Sequence, residues 1–137
     1  MKNLKWFARP DKFKNRLIMV ILGVLIQGFG LSWIIEVSFG TDPCSAFTQG
    51  VISHVPLSFG TAQLLINIIL FVVVFLADTS LIGFGTIANM VFIGYISDFC
   101  RFIYSKTLPA ELFQNTTTRI IILIPALIVF ILGAAMY

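Results

Sequence analysis

Between Arg16 and Arg101 the chain carries no lysine or arginine. Charged residues of either sign make up only 11% of its 137 residues. That is too little charge to clothe a water-soluble domain. Histidine is nearly absent too: His54 stands alone, beside two cysteines, Cys44 and Cys100. Neither cysteine has metal-ligand spacing or a nearby histidine, so free thiols and no metal site are expected. No Ser/His/Asp or Cys/His constellation is visible, and no helix carries paired catalytic carboxylates. Asp42 and His54 would lie about three turns apart on a helix, too far for acid–base work. A wetted helix end accounts for His54 more simply than a proton relay. No catalytic residue, no cofactor and no enzymatic activity are therefore expected. A nucleotide-binding glycine loop is missing as well, which argues against ATP-driven transport by this chain alone.

What is abundant is hydrophobicity. Apolar residues make up 58% of the chain and the mean hydropathy is +1.00. The bilayer is then the solvent, and only helices or closed barrels satisfy their backbone there. The pattern predicts an all-α, polytopic transmembrane helical bundle. About four spans are expected, at 17–37, 59–77, 81–103 and 119–137, each long enough for a ~30 Å hydrocarbon core. A short broken or re-entrant helix at about 43–54 follows the first span. Six of the nine basic residues, Lys2, Lys5, Arg9, Lys12, Lys14 and Arg16, precede the spans in a 1–16 tail. This is a topology signal, not a nucleic-acid surface, and it predicts a cytoplasmic N-terminus in a multi-pass cell-membrane protein. The first apolar run is too long for a signal peptide and lacks a small-x-small cleavage site. Three crossings place the 104–118 loop opposite the tail, although Arg101, Lys106 and Arg119 flank it; the six initial charges outweigh these three.

The rest of the chain is organised around Gly40-Thr41-Asp42-Pro43, a polar break between two apolar runs. Gly40 frees the backbone, and Pro43 suits the first position of a restarted helix. Asp42 precedes it, where a carboxylate accepts the helix's orphan amide hydrogens. Such broken helices build substrate pockets in transporters; the plainer alternative is a capped surface loop. Amides recur within the spans. Gln63 and Asn67 are four apart, and Thr86 and Asn89 three apart, so each pair shares a helix face. Intramembrane polar groups face protein or water rather than lipid. Thr41, Asp42, Gln63, Asn67, Thr86 and Asn89 are therefore the candidate substrate-binding set. Gly40, Pro43, Gly60, Gly85, Gly94 and Asp98 form the candidate structural set. Asp98 has a plainer alternative role, an ion pair with Arg101. Gly23, Gln27 and Gly30 share one face of the first span, where Gln27 serves either a solute path or helix packing.

Arg16 and Gly30 are repeated at Arg119 and Gly133 with the same spacing. With three spans between the copies, such repeats would be inverted in the membrane. The final run holds Pro125 and the small triplet Gly133-Ala134-Ala135, and no polar tail follows, as expected of a fragment or a half. In order, Gly40-Thr41-Asp42-Pro43, Ser58-Phe59-Gly60-Thr61, Ile82-Gly83-Phe84-Gly85-Thr86 and Gly94-Tyr95-Ile96-Ser97-Asp98 resemble the YczE/YitT-type bacterial integral membrane proteins. The resemblance covers about 17–137. It implies a bacterial inner-membrane protein, a loose association with transport, and longer relatives of about six spans. Cys44 departs from the family, where a bulkier residue is common. The expected function is a small-molecule or ion transporter, or half of one. A non-transporting accessory protein that binds a membrane partner is the second expectation. The expected partners are the lipid bilayer, an unidentified small solute, and a second copy or a missing second half; no nucleic acid is expected.

Overall fold

The computed structural model describes residues 13–77 and 82–136. The basic residues up to Lys12, the expected turn at 78–80, Leu81 and Tyr137 lie outside the described residues. Five helices are present: α1 (Phe13–Val37), α2 (Pro43–Ile52), α3 (Phe59–Ala77), α4 (Phe84–Thr107) and α5 (Thr116–Met136), with a 3₁₀ turn at Ala110–Phe113. No strand occurs among the described residues, so the fold is all-α. By length and composition α1, α3, α4 and α5 can each cross a membrane. At 1.5 Å per residue they run about 28–38 Å. The chain is therefore a multi-pass membrane protein.

The helix limits differ from the expected ones for local reasons. Among the described residues α1 already runs from Phe13, ahead of 17, and carries Lys14 and Arg16, both exposed. Basic side chains there suit an anionic headgroup layer. α2 stops at Ile52 because Ser53 Oγ donates to the Gly50 carbonyl at 2.7 Å, competing for the last turn. α4 runs on to Thr107, beyond 103. Its extra turn places the Tyr104 ring 4.5 Å from that of Trp33, with Tyr104 Oη 3.3 Å from Ser32 Oγ. Leu108, extended and followed by Pro109, ends it. α5 starts at Thr116 and runs through Pro125 to Met136.

α1 is the hub. Half of its span is buried within the protein, against 22%, 17% and 11% for α3, α4 and α5. Cross-helix contacts set the directions. Gly30 meets Phe130 and Gly133 meets Gln27, so α5 runs antiparallel to α1. Gly28 meets Ile96 and Glu36 meets Arg101, so α4 runs parallel to it. Asn67 reaches Met90 and Gly60 reaches Asp98, so α3 is antiparallel to α4. Leu31, Ile35, Phe59 and Ile93 form the core, with Ile52 and Phe130 against it. Outward residues such as Leu25, Ile69, Leu76, Ile121 and Ile131 are exposed and form the lipid-facing belt.

Lipid is as apolar as these side chains, so helices associate through close backbone packing. At Gly94 a Cβ would come 2.8 Å from Gly60 Cα, and at Gly133 it would come 2.7 Å from Gln27 Cα. Both distances lie well inside an ordinary contact of about 3.5–4.0 Å. Polar links then tie the end of the bundle where α1 and α4 finish. Arg101 Nε donates to Glu36 Oε1 at 2.8 Å. Arg119 Nε donates to the Val37 carbonyl at 2.6 Å, and its guanidinium lies 4.3 Å from the Phe39 ring centroid. The ion pair considered for Asp98 and Arg101 does not form. Arg101 reaches across to α1 instead, and Asp98 Oδ2 accepts the Gly60 N–H of α3 at 2.7 Å.

Candidate polar cavity at the broken helix

After Val37 the backbone enters left-handed territory at Ser38 (φ 55°) and again at Gly40 (φ 115°). A side chain at Gly40 would meet nothing within 4 Å, so the requirement there is purely conformational. The chain then turns back into the bundle. Asp42 and Cys44 share a cavity with Gln27, near the middle of α1, and with Asn67, eight residues into α3. Eight residues of helix are about 12 Å, so the start of α2 lies that far below the start of α3. Its other end, Ile52, packs against the core cluster of Leu31, Ile35, Phe59 and Ile93. The 38–42 stretch thus enters and α2, a half-helix, returns on the same side, with Ser45 and Thr48 buried against the bundle and Pro43, Ala46 and Phe47 exposed.

The start of α2 is capped by Asp42. Pro43 has no N–H; the Ser45 N–H donates to Asp42 Oδ2 at 3.0 Å; the Ala46 N–H donates to the Asp42 carbonyl at 2.9 Å. Thr41 Oγ1 donates to the Asp42 carbonyl at 3.3 Å and accepts from Gln49 Nε2 at 3.3 Å, bracing the entering strand of chain to α2. Cys44 Sγ lies 3.8 Å from Asn67 Oδ1, and Asn67 Nδ2 donates to the Met90 carbonyl at 3.3 Å. These links join α2 to α3 and α3 to α4.

Around this junction lies a cavity of ≈ 170 Å³. Its polar wall is Gln27, Asp42, Cys44, Ser45, Gln63, Asn67 and Asn89, and its apolar wall is Leu31, Ile93 and Phe130. Gln27 Oε1, Gln63 Oε1 and Ser45 Oγ are buried with no hydrogen-bond partner among the described residues. Their side chains are 6%, 6% and 1% exposed. Leaving such a group unpaired costs about 1–3 kcal/mol, so three together mark a place that a partner would stabilise.

Of the six candidate binding residues, the structure brings Asp42, Gln63, Asn67 and Asn89 to this one cavity. Thr86 lies next door, in a ≈ 200 Å³ cavity between α3 and α4 that shares Asn67 and Asn89. Its hydroxyl accepts the Gly83 N–H at 3.3 Å at the start of α4. Thr41 faces a different space, ≈ 390 Å³ between the 38–42 stretch and α5, which Asp42 also borders. Of the structural set, Pro43 is the first residue of α2, and Gly60, Gly94 and Asp98 meet at the α3–α4 crossing. Gly85 is half-buried in the first turn of α4. His54 lies at the exposed far end of α2, its Nδ1 2.8 Å from Ser53 Oγ, away from the cavity. Cys44 and Cys100 are free.

Ser45 and Cys44 line the cavity although neither belongs to the candidate binding set. Their position was readable: they fill the first turn of the helix that Asp42 caps. What could not be read was the direction in which that helix runs. Gln27 joins them from α1, one turn before the Gly30–Phe130 contact.

The chain matches no curated protein and no solved structure. A family model does match, over residues 14–137, which takes in all four spans and the half-helix. By that match the chain belongs to the Family of unknown function (DUF6198).

Proposed function

We propose that this protein is a small-molecule or ion transporter, or half of one, whose binding site is the cavity at the start of α2. One observation carries the proposal. A half-helix begins at a cavity whose lining residues include Gln27, Gln63 and Ser45, each with a buried side-chain oxygen that has no partner among the described residues. Discontinuous helices meeting polar side chains at mid-depth are the usual construction of secondary transporter sites. The resemblance to YczE/YitT-type proteins points the same way, toward a bacterial inner membrane. The basic residues before α1 support a cytoplasmic N-terminus.

The α1–α5 pair supports an inverted-repeat architecture. An offset of 103 residues carries Arg16 onto Arg119. It also carries Gly30 onto Gly133 and Gln27 onto Phe130. Gly30 packs on Phe130 and Gly133 on Gln27, so the two contacts exchange under the repeat. A two-fold axis in the membrane plane relates antiparallel copies in this way.

Flux into vesicles reconstituted with the purified protein tests the proposal, using inorganic ions, amino acids, nucleobases and organic anions. Protein-dependent flux of one solute, lost in Asp42→Ala and in Asn67→Ala, is the expected result. Flux unchanged by both substitutions would overturn the assignment of the cavity. A defined membrane partner that co-purifies, with no flux of any solute, would favour an accessory role instead.

A further inference from the structure

Resting on the solute-binding role above, we propose that the cavity takes a small monovalent cation, an alkali-metal ion or a small ammonium ion. It would be held by oxygen atoms of Gln27, Ser45, Gln63 and Asp42. A helix N-terminus by itself attracts anions through its free amide hydrogens and its dipole. Here the chain takes most of that position. Pro43 offers no hydrogen, and Asp42 accepts the Ser45 and Ala46 amides through its side chain and its carbonyl. A solute anion there would lie beside the Asp42 carboxylate.

The rest of the cavity favours positive charge. The unpartnered atoms are two carbonyl oxygens, Gln27 Oε1 and Gln63 Oε1, which only accept, and the Ser45 hydroxyl. Asp42 supplies the one carboxyl group on the lining, and no lysine, arginine or histidine is among the described residues that line it. A single carboxylate among neutral oxygens suits one positive charge. Divalent calcium and magnesium draw on more carboxylates or on substrate phosphates. Among the described residues no three His, Cys, Asp or Glu side chains gather. The volume of ≈ 170 Å³ holds such an ion with a few waters, each taking about 30 Å³.

Thermal unfolding of the full chain in detergent tests this. The chloride background is that of a bulky organic cation at constant ionic strength. Sodium, potassium, ammonium and methylammonium chlorides form one arm; urea, glycine and the bulky cation's formate salt form the other. The variants are Asp42→Asn, which keeps an N-capping side chain while removing the charge, and Gln63→Glu, which adds a charge and keeps Asp42. The expected result is a saturable rise in melting temperature with one small cation. Its apparent affinity should fall at least tenfold in Asp42→Asn and rise in Gln63→Glu. Stabilisation by urea, glycine or formate instead, lost in Asp42→Asn, would overturn the cation assignment and leave the solute site standing. An equal cation response in all three proteins is a general salt effect and overturns it as well. No response to either arm would overturn both the cation and the binding role of this cavity.

Discussion

Replacing Gly94 by alanine tests the close crossing of α3 and α4. The added Cβ would lie 2.8 Å from Gly60 Cα, 3.3 Å from the Gly60 carbonyl oxygen and 3.4 Å from Gln63 Oε1. The first neighbour is backbone, so no side chain can rotate away to make room. Restoring an ordinary carbon–carbon separation requires α3 and α4 to part by about 1 Å. Overpacking of this kind costs about 1–3 kcal/mol. The parting also stretches the 2.7 Å bond from the Gly60 N–H to Asp98, a hydrogen bond to a carboxylate worth about 1.5–3 kcal/mol. Better helix propensity returns about 1 kcal/mol. These terms are not additive, and a net loss of about 2–3 kcal/mol is expected. Gly50→Ala is the matched control, since nothing lies within 4 Å of its added Cβ. It should be neutral or stabilise by up to about 1 kcal/mol through propensity alone. Denaturant unfolding in detergent micelles, followed by helical circular dichroism, reads both. If Gly94→Ala were as stable as the parent to within about 0.5 kcal/mol, the α3–α4 crossing described here would be wrong.

Further substitutions probe the tied end of the bundle. Asp98→Ala strands the Gly60 N–H and should cost about 1–3 kcal/mol, whereas Asp98→Asn keeps an acceptor and should cost less; equal losses in the two variants would contradict a capping role. Arg119→Ala removes both the bond to the Val37 carbonyl and the contact with Phe39. A double-mutant cycle with Phe39→Ala should give a coupling of about 0.5–2 kcal/mol, and a coupling near zero would discount the ring contact.

The spans were legible because the bilayer leaves the backbone little choice. A run such as Ile68–Leu76 has no stable form there but a helix. The Asp42-Pro43 start was legible for a local reason, since capping chemistry involves residues three apart. What stayed hidden were the links between helices. Asp98 has Arg101 one turn away on its own helix, and only the antiparallel placing of α3 supplies the better partner, Gly60, 38 residues earlier. Arg119 had a topological meaning in the sequence, yet its side chain closes the last turn of α1, 82 residues away. Gly28, close against Ile96, drew no notice because neighbouring glycines on α1 fitted a simpler spacing. The amide pairs told which faces of α3 and α4 turn inward. They did not tell that Thr86 would be drawn into capping its own helix, or that Thr41 would face a separate space.

The links Glu36–Arg101, Val37–Arg119 and Gly60–Asp98 all sit at one end of the bundle. Of these only Gly60–Asp98 holds α3, near its start, and Asn67–Met90 holds it again about 10 Å further along. From Gly60 to Ala77 the helix runs about 25 Å. A tilt of about 10° around Gly60 would carry Ala77 by about 4 Å but Asn67, much nearer the fulcrum, by only about 2 Å. The polar cavity therefore lies where the arm is short. Any rocking of α3 would reshape the far surface more than it disturbs the cluster around Asp42.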